Sequence, residues 1–395
     1  MTLQSFRTDV RRWLDANCPE TMRVKMRPDE AINGGYKKRS SNPDSEIWLQ
    51  RMVEQGWTAP NWPKEYGGAD LDKNEFVVLL EEMQRINARP PLVGMGVSMI
   101  GPTLLEYGTE EQKQRFLPPI AKGEASWCQG YSEPGAGSDL AGLQTKAVLD
   151  GDEFVINGSK IWTSSAAFAD WMFCLVRTDP QAPKHQGISF FLLSMDSPGV
   201  SVKPIRLING TSPFYQTFFD DVRVPRENLV HRINEGWEVG KRLLQHERSG
   251  LAALASADAA GPLERIKPGN DFAEMVNIYA SLSDAELRDS WTDNEMIKQA
   301  LLLTKRRVVE ESEAKTPGAA TSIFKYIEAE YVKRQLELQL KTRGTQGLGW
   351  NGETFSEEDI SMGRLWLESK AISIAGGSNE VQLNIISKRV LGLPD

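Results

Sequence analysis

The chain has 395 residues, of which 40% are hydrophobic and 25% are charged, so it is long enough for two or three packed lobes around large cores. Its net charge is −8 and it contains no run of basic residues, which argues against a nucleic-acid partner. No apolar run approaches the length of a membrane span, and the first residues lack the apolar region of a secretory leader.

Residues 2–124 place apolar side chains three and four positions apart, the spacing of amphipathic helices. These stripes are Leu3, Phe6, Val10 and Trp13, then Ile47, Trp48 and Met52, then Phe76, Leu79, Leu80, Met83 and Ile86. Thr109 and Gln112 predict a capping box at the start of a helix that runs towards Phe116. We therefore predict an N-terminal helical domain over residues 1–124.

Residues 125–235 form short runs rich in aromatic and β-branched residues, bounded by Gly, Pro, Asp and Asn. The runs cover 154–156, 171–176, 188–193, 200–205 and 215–219. Their regular spacing is typical of an antiparallel β-barrel or sandwich, which we expect as the central domain. Asn157-Gly158 predicts a hairpin turn that brings Trp162, Thr163 and Ser164 to a strand end or a loop.

Residues 236–395 return to helical periodicity, with long runs over 301–309, 323–340 and 363–374. The predicted fold class is therefore α+β, with an N-terminal helical domain, a central β domain and a C-terminal helical bundle. Gly347-Leu-Gly-Trp-Asn-Gly352 matches the dinucleotide motif Gly-x-Gly-x-x-Gly by letter. The residues before it, 331–340, have a helical pattern where that motif needs a strand, so we reject a Rossmann site.

Cysteine and histidine usage limits the chemistry that the chain can perform. Cys18, Cys128 and Cys174 are scattered and odd in number, which fits a reducing compartment, and we expect a cytoplasmic protein. The histidines have no metal-ligand spacing with each other or with cysteine; they are His185, His231 and His246. We therefore expect no metal site.

Pro134-Gly-Ala-Gly-Ser-Asp139 is a loop of small residues, so backbone amides can approach a ligand closely because few side chains intervene. Trp162 is followed by three hydroxyl residues, which suits the edge of a flat, hydrogen-bonding ring system. A Gly-rich surface turn and a core tryptophan explain the same residues equally well on composition alone.

Ser132-Glu-Pro-Gly-Ala-Gly-Ser-Asp-Leu-Ala-Gly142 and Asn157-Gly-Ser-Lys-Ile-Trp-Thr-Ser164 resemble the two flavin-contact motifs of the acyl-CoA dehydrogenase family. The resemblance extends over nearly the whole chain, including the loop at 60–68 and the run at 219–225. It implies the acyl-CoA dehydrogenase fold, bound FAD, a role in fatty acid metabolism and α,β-dehydrogenation of an acyl-CoA thioester. It also implies electron transfer to an electron-transferring flavoprotein and a homotetramer built as a pair of dimers.

The resemblance also assigns roles to residues in the two motifs. The segment from 129 to 138 would line the flavin and the start of the acyl chain, and its cofactor-binding residues are Gln129, Tyr131, Ser132, Gly137 and Ser138. Ser138 would in addition face the substrate. Trp162, Thr163 and Ser164 would flank the isoalloxazine ring.

The base that removes the α-proton is not in the usual place. Most of the family carries a glutamate in Tyr-Glu-Gly-Thr near the C-terminus, but the matching stretch here has Gly376 at that position. A minority of the family places the base in a Glu-Arg pair on the first helix after the β domain, which corresponds to Glu247-Arg248. The resemblance therefore implies Glu247 as the catalytic base and Arg248 as a substrate contact.

Periodicity supports Glu247 independently, because Val239, Leu243, Glu247 and Leu251 are four residues apart and share one helical face. An ionised carboxylate on an apolar stripe is costly unless it is paired or used in chemistry. Two structural explanations stay open: an ion pair with a core Arg or Lys, or a helix rotated so that Glu247 is exposed.

Gly376 and Gly377 precede the last predicted helix, for which Ser378 suits the N-cap. The free amides at this helix start suit a carbonyl oxygen or a phosphate. By resemblance, the Gly376 amide would polarise the thioester carbonyl, with Ser378 and Glu380 near the flavin nucleotide. The loop at Gly347 would contact the flavin nucleotide of a neighbouring subunit. Arg343, which stands where the family usually has Gln, would bind the cofactor by facing a phosphate. The family segment Arg-x-x-Phe-Gly is missing between 263 and 294, so the adenosine end of the flavin must be held differently, or less tightly.

Other functions remain open from sequence. Because glycine replaces the usual base at position 376, the chain could be a subunit without a base that holds flavin or stabilises a catalytic partner chain. An oxidase or flavin hydroxylase on the same fold is a third hypothesis, and a non-enzymatic helical scaffold is a fourth.

Overall fold

The computed structural model describes residues 2–24, 26–27, 29–38, 40–248, 284–313 and 321–394. The chain divides into two compact units, one of Met1–Ile205 with Ser212–Ala260 and one of Arg206–Thr211 with Gly261–Asp395. The side chains of Glu247 and Arg248 lie outside the described residues, although the backbone of both belongs to a described helix.

The first unit begins with helices α1 (Leu3–Asn17), α2 (Pro43–Glu54), α3 (Lys73–Arg85), α4 (Gly101–Tyr107) and α5 (Glu110–Ala121). The predicted apolar stripes of α1, α2 and α3 meet in one buried cluster, which includes Val10, Leu14, Trp48, Met52 and Leu79. Burial of each such large side chain stabilises the fold by roughly 1.5–3 kcal/mol.

The start of α5 is fixed by the capping box that the sequence predicts. Thr109 Oγ1 accepts from the Gln112 amide at 3.3 Å, and Gln112 Oε1 accepts from the Thr109 amide at 3.1 Å. Both bonds satisfy amides that a helix N-terminus leaves without intrahelical partners. This prediction is confirmed, and Asp72 with Glu75 makes the same arrangement at the start of α3.

The central domain contains strands β1 (Trp127–Gly130), β2 (Lys146–Asp150), β3 (Glu153–Ser164), β4 (Trp171–Arg177), β5 (Ile188–Ser194), β6 (Val200–Ile205), β7 (Phe214–Pro225) and β8 (Leu229–Val230). They form one sheet in the order β6-β7-β3-β2-β4-β5-β8, with β1 beside β4. Most neighbours are antiparallel, but β1 runs parallel to β4 and β2 touches β4 in parallel. Helix α6 (Gly236–Arg248) follows the sheet and packs on β5.

The prediction of a hairpin turn at Asn157-Gly158 is wrong, because both residues lie inside β3. The chain reverses direction before this point, in the turn that joins β2 to β3, where Gly151 has a φ of +63°. The Asn157 side chain instead makes two hydrogen bonds to Asp221 on β7, where the register of β3 against β7 shifts. Its Nδ2 donates to Asp221 Oδ1 at 2.9 Å, and its Oδ1 accepts from the Asp221 amide at 3.0 Å. A β-bulge therefore uses the residue pair that more often forms a tight turn.

The described helices of the second unit are α7 (Ala285–Glu313), α8 (Thr321–Arg343), α9 (Glu357–Ser369) and α10 (Asn379–Ile385). Leu301 of α7 packs with Tyr331, Val332 and Leu336 of α8 in their shared core. A 3₁₀ turn at Gly344–Leu348 follows α8, so a helix and not a strand precedes the Gly-rich loop. The rejection of a Rossmann site is thereby confirmed, as is the predicted fold class of helices, β-sheet and helices.

The described residues lack two kinds of feature. None of the described helices combines the length and the apolarity that a bilayer crossing requires. The same residues contain no group of three or more His, Cys, Asp and Glu placed to hold a metal ion.

Candidate functional site

The small-residue loop after β1 leaves open space around its backbone. Pro134, Gly135, Gly137, Ser138 and Asp139 are exposed. A Cβ atom added to Gly135 or Gly137 would meet no described atom within 4 Å. The Ala136 amide donates to the Glu133 carbonyl at 3.0 Å, but the space around Gly135 and Gly137 leaves room for a ligand to approach the backbone there.

A buried ion pair joins this loop to β3. Lys160 Nζ donates to Glu133 Oε1 at 2.8 Å and to the Tyr131 carbonyl at 3.1 Å, and Lys160 is fully buried. The Glu133 carboxylate also accepts from the amides of Gln144 and Thr145, at 2.6 and 2.9 Å. Burial alone would raise the pKa of the Glu133 carboxyl, but Lys160 and these hydrogen bonds outweigh burial and hold it below its usual value.

Sequence reasoning missed Glu133 and Lys160 as residues of the site. Glu133 belongs to the first motif and Lys160 to the second, and the pairing of the two motifs in space is a tertiary contact. The available clue was that the first motif carries acids, Glu133 and Asp139, while Lys160 is the one charged residue of the second. The contact shows that both motifs border one region of the structure, since Ser132 also accepts from the Ile161 amide at 2.8 Å.

Trp162 sits on a second bulge of β3, where the register against β7 shifts between Lys160 and Thr163. Its φ is +59°, a left-handed conformation that is rare for a bulky residue and stores roughly 1–3 kcal/mol of strain. Its side chain is 52% exposed, and its ring packs edge-on against Phe214 at 6.0 Å. The strained bulge therefore turns a large aromatic face outwards.

The hydroxyl groups after Trp162 do not share one environment. Thr163 is fully buried and its Oγ1 accepts from Thr217 Oγ1 at 3.3 Å, so its hydroxyl points into the sheet. Ser164 is half-buried beside Phe214, and Ser165 has a φ of +57°. The side chains that are accessible to a ligand here are those of Trp162, Ser164 and Ser165.

Gln129 and Tyr131 line the buried end of β1. Among the described residues, the Nε2 donor of Gln129 is buried without a hydrogen-bond partner, a condition that costs about 1–3 kcal/mol unless a ligand or water supplies an acceptor. Tyr131 is 5% exposed and packs edge-on against Phe173 and Phe190. An open loop, an outward-facing indole and an unsatisfied amide together fit a planar ligand with hydrogen-bonding edges.

Helix α6 runs past this region. A Cβ atom on Gly240 would lie 3.4 Å from Tyr131 Oη, and Val239 and Leu243 of α6 are completely buried. The next position with the same spacing is 247, in the last turn of the helix. The prediction for the Glu247 and Arg248 side chains lies outside the described residues.

The predicted residues of the second unit form their own group. Ser378 caps α10, accepting from the Val381 amide at 3.4 Å, so the N-cap prediction is confirmed. Gly376 and Gly377 have φ of +67° and +103°, which only glycine adopts without strain. Glu380 is exposed, and backbone and Ser378 hydrogen bonds lower its pKa. The cofactor roles of these residues stay predictions.

Arg343 makes contacts that the sequence did not predict. Its side chain is 1% exposed and its guanidinium binds the carboxylates of Glu358 and Asp359 at the start of α9. Asp359 also forms the capping box of α9 with Ser356. A Cβ atom on Gly347 would lie 2.8 Å from the Leu340 carbonyl, so the tight turn after α8 needs glycine.

Comparison with known proteins gives matches along the chain. Family models match residues 2–124 (acyl-CoA dehydrogenase, N-terminal domain), 128–222 (acyl-CoA dehydrogenase, middle domain) and 234–391 (acyl-CoA dehydrogenase, C-terminal domain). Acyl-CoA dehydrogenase IpdE1 of Mycobacterium tuberculosis is 35% identical over 99% of this chain and 98% of its own length. FadE34 of the same organism is 36% identical over 98% of this chain and 51% of its own length.

Solved structures agree with these sequence matches. The Tcur3481-Tcur3483 steroid ACAD superposes with a TM-score of 0.76 at 30% identity, covering 99% of this chain and 97% of that one. The ChsE4-ChsE5 complex from Mycobacterium tuberculosis superposes with a TM-score of 0.73 at 30% identity, covering 100% of this chain and 98% of that one.

Proposed function

Since the chain belongs to the acyl-CoA dehydrogenase family, we propose that it dehydrogenates an acyl-CoA thioester between its α and β carbons, with Glu247 as the base. The chain is an oxidoreductase. The observation that carries the choice of base is the Glu247-Arg248 pair at the end of α6, which follows the wholly buried Val239 and Leu243, while glycine occupies position 376.

The proposed cofactor is FAD, which when bound accepts the β-hydrogen as a hydride. The open loop at Gly137 and Ser138 would hold it through backbone amides, and Trp162 would cover one side of its ring. The unpartnered Nε2 of Gln129 would donate to a ring heteroatom or to the acyl group. The buried pair of Lys160 and Glu133 would keep this loop and β3 at a fixed distance from each other.

Glu247 would remove the α-proton, which requires surroundings dry enough to bring its pKa towards working pH. Arg248 would bind the thioester or the coenzyme A portion. The amide of Gly376 would donate to the thioester carbonyl and stabilise the enolate-like charge, an interaction typically worth several kcal/mol. Electrons would then leave to an electron-transferring flavoprotein.

We further propose a bulky, ring-containing acyl group as the substrate class. The support is the name of a similar solved structure, a steroid ACAD at 30% identity over nearly the full chain. Two of the similar solved structures are named for two different chains, Tcur3481-Tcur3483 and the ChsE4-ChsE5 complex. Assembly with a second, related chain is therefore an alternative to the homotetramer that the sequence predicts.

The experiment is an anaerobic titration of the purified, flavin-loaded protein with butyryl-CoA, octanoyl-CoA, palmitoyl-CoA and a coenzyme A thioester of a steroid side-chain acid. At least one thioester should bleach the flavin absorbance and yield the trans-2-enoyl product. Glu247→Gln should slow bleaching about 10³-fold, since a positioned base contributes about 10²–10⁴-fold. Glu238→Gln is the matched control, because Glu238 is an exposed glutamate on the same helix.

Three outcomes would replace the proposal. If the flavin of Glu247→Gln is bleached as fast as that of the unaltered protein, Glu247 is not the base. A protein that binds flavin but is bleached by none of the thioesters until a partner chain is added would be the base-less subunit that Gly376 allows. Steady hydrogen peroxide release without an enoyl product would identify an oxidase or hydroxylase.

A further inference from the structure

Helix α6 has a second face, which is charged. Arg242 and His246 are four residues apart on this face, and both contact Glu106 near the end of α4. Arg242 Nε lies 2.7 Å from Glu106 Oε2 and Arg242 Nη2 lies 2.6 Å from Oε1, a bidentate pair. His246 Nε2 lies 3.2 Å from the same Oε1. One carboxylate thus contacts both of the last two turns of α6.

The charges around His246 are few in the described part of the chain. The hydrogen bond from Arg242 lowers the pKa of Glu106, which is therefore ionised at neutral pH. Burial lowers the pKa of His246, and the Glu106 carboxylate opposes that effect while Arg242 adds to it. The segments that pack on α6 from elsewhere, Gly96–Ile100 and β5, contain no ionisable side chain, and β4 contributes Cys174 and Arg177.

Side-chain contacts can hold the end of a helix in one orientation. The last four carbonyls of a helix lack intrahelical donors, and the terminal turn frays readily. Cationic side chains near a helix C-terminus also interact favourably with its dipole. Because Glu106 and Arg242 are 37% and 42% exposed, we expect little net stability from the pair itself.

We propose that Glu106 is a positioning residue for the catalytic base: through Arg242 and His246 it fixes the rotation of the last turn of α6, and with it the placement of residue 247. The proposal rests on the proposed function of Glu247, which directly follows His246 in the chain. A misplacement of a catalytic group by about 1 Å can lower a rate about 10²-fold, so a weak pair can have a large kinetic effect.

The first test is the rate of flavin bleaching by the thioester that acts fastest in the panel above, prepared with and without deuterium at Cα. Glu106→Gln should slow bleaching about 10- to 100-fold and increase the α-deuterium isotope effect, while the thioester Kd stays within about twofold. Glu106→Asp, which keeps the carboxylate, should recover part of the rate. Glu227→Gln, which removes the exposed pair with Arg115 at 3.0 Å, is the control.

A bleaching rate for Glu106→Gln within twofold of the unaltered protein would overturn the proposal. So would an equal loss in Glu106→Gln and Glu227→Gln, because that result would indicate a general effect on stability. If Glu106→Gln does not fold, His246→Gln removes one arm of the contact and should show the same isotope-effect increase with a smaller loss of rate.

The second test does not depend on turnover. The chain has three histidines, so NMR of protein labelled with ¹³C at histidine Cε1 gives one titration curve each for His185, His231 and His246. Glu106→Gln should lower the pKa of His246 further, because the carboxylate that favours the imidazolium is removed. An unchanged curve would show that Glu106 does not hold the helix end. The curve can shift even if no thioester bleaches the flavin, so failure of the proposed function is distinguishable from failure of this inference.

Discussion

Lys160 Nζ lies 2.8 Å from Glu133 Oε1, with the Lys160 side chain completely buried and the Glu133 side chain 8% exposed. Lys160 belongs to β3 and Glu133 to the loop after β1, so this one contact ties together the two segments that border the proposed flavin site. The charges are acceptable in the interior because the lysine has two acceptors and the carboxylate has three donors.

Lys160→Met should destabilise the fold by about 3–5 kcal/mol, because it leaves the Glu133 carboxylate buried without its counter-charge. The same variant should lose flavin on gel filtration, since the loop would no longer be held against β3. Chemical denaturation and the flavin-to-protein absorbance ratio are the measurements. Lys184→Met is the control: Lys184 binds Asp139 in the same loop, but both side chains are more than half exposed, so its loss should cost under about 1 kcal/mol.

Trp162→Gly should separate stability from cofactor binding. Glycine adopts the φ of +59° without strain, so the melting temperature should stay the same or rise despite the loss of a large side chain. Flavin affinity should fall at least about tenfold if the exposed indole covers the ring. Asp70→Gly relaxes a similar left-handed residue, φ +57°, on an exposed loop and should leave flavin affinity unchanged. A Trp162→Gly protein that keeps its flavin would contradict the assignment.

Local pattern predicted much of the fold because the relevant interactions are local. The stripes of α1 to α3, the Thr109 capping box and the Ser378 N-cap depend on residues within a few positions of each other. The order of helices, sheet and helices follows from the same periodicities. The parallel pairing of β1 with β4 was beyond this approach, because it joins strands more than 40 residues apart that an alternating pattern cannot match.

The site was predicted only as far as its motifs extend. Trp162 was chosen for its ring, but its exposure comes from a bulge set by the pairing of β3 with β7. The inward-facing hydroxyl of Thr163 and the contact of Glu106 with α6 are likewise tertiary. Arg343 shows the same limit: its carboxylate partners lie 15 and 16 positions further along the chain.

Gly158→Ala should be far more damaging than a substitution at the true turn. At Gly158 the φ is +145° and a Cβ atom would lie 2.7 Å from the Thr145 backbone, so alanine should cost at least about 2 kcal/mol. At Gly151 a Cβ atom would meet no described neighbour within 4 Å, and the φ of +63° is one that asparagine tolerates. Gly151→Asn should therefore lose less than about 1 kcal/mol in urea denaturation, and the opposite order would contradict the observed register.

Glu82 of α3 should set the acid limit of the N-terminal helices. Its carboxylate is 2% exposed and binds Arg7, Arg11 and Arg85, and these hydrogen bonds, led by that of Arg11, lower its pKa from 4.5 to about 2. Because the folded pKa is depressed, the stabilisation is fully present above about pH 4.5 and is lost as the pH falls towards 2. We expect it to amount to about 2 kcal/mol, given that the arginines are partly exposed.

Thermal unfolding followed by circular dichroism between pH 7 and pH 2.5 measures this contribution. Glu82→Gln should melt several degrees below the unaltered protein at pH 7, and the two melting temperatures should converge as the pH approaches 2.5. Glu81→Gln is the matched control, because Glu81 is half-exposed beside Arg7 and its removal should leave the pH dependence unchanged. A constant gap between Glu82→Gln and the unaltered protein across this range would mean that the Glu82 carboxylate is not preferentially ionised in the folded state, because only a depressed folded pKa makes the difference depend on pH.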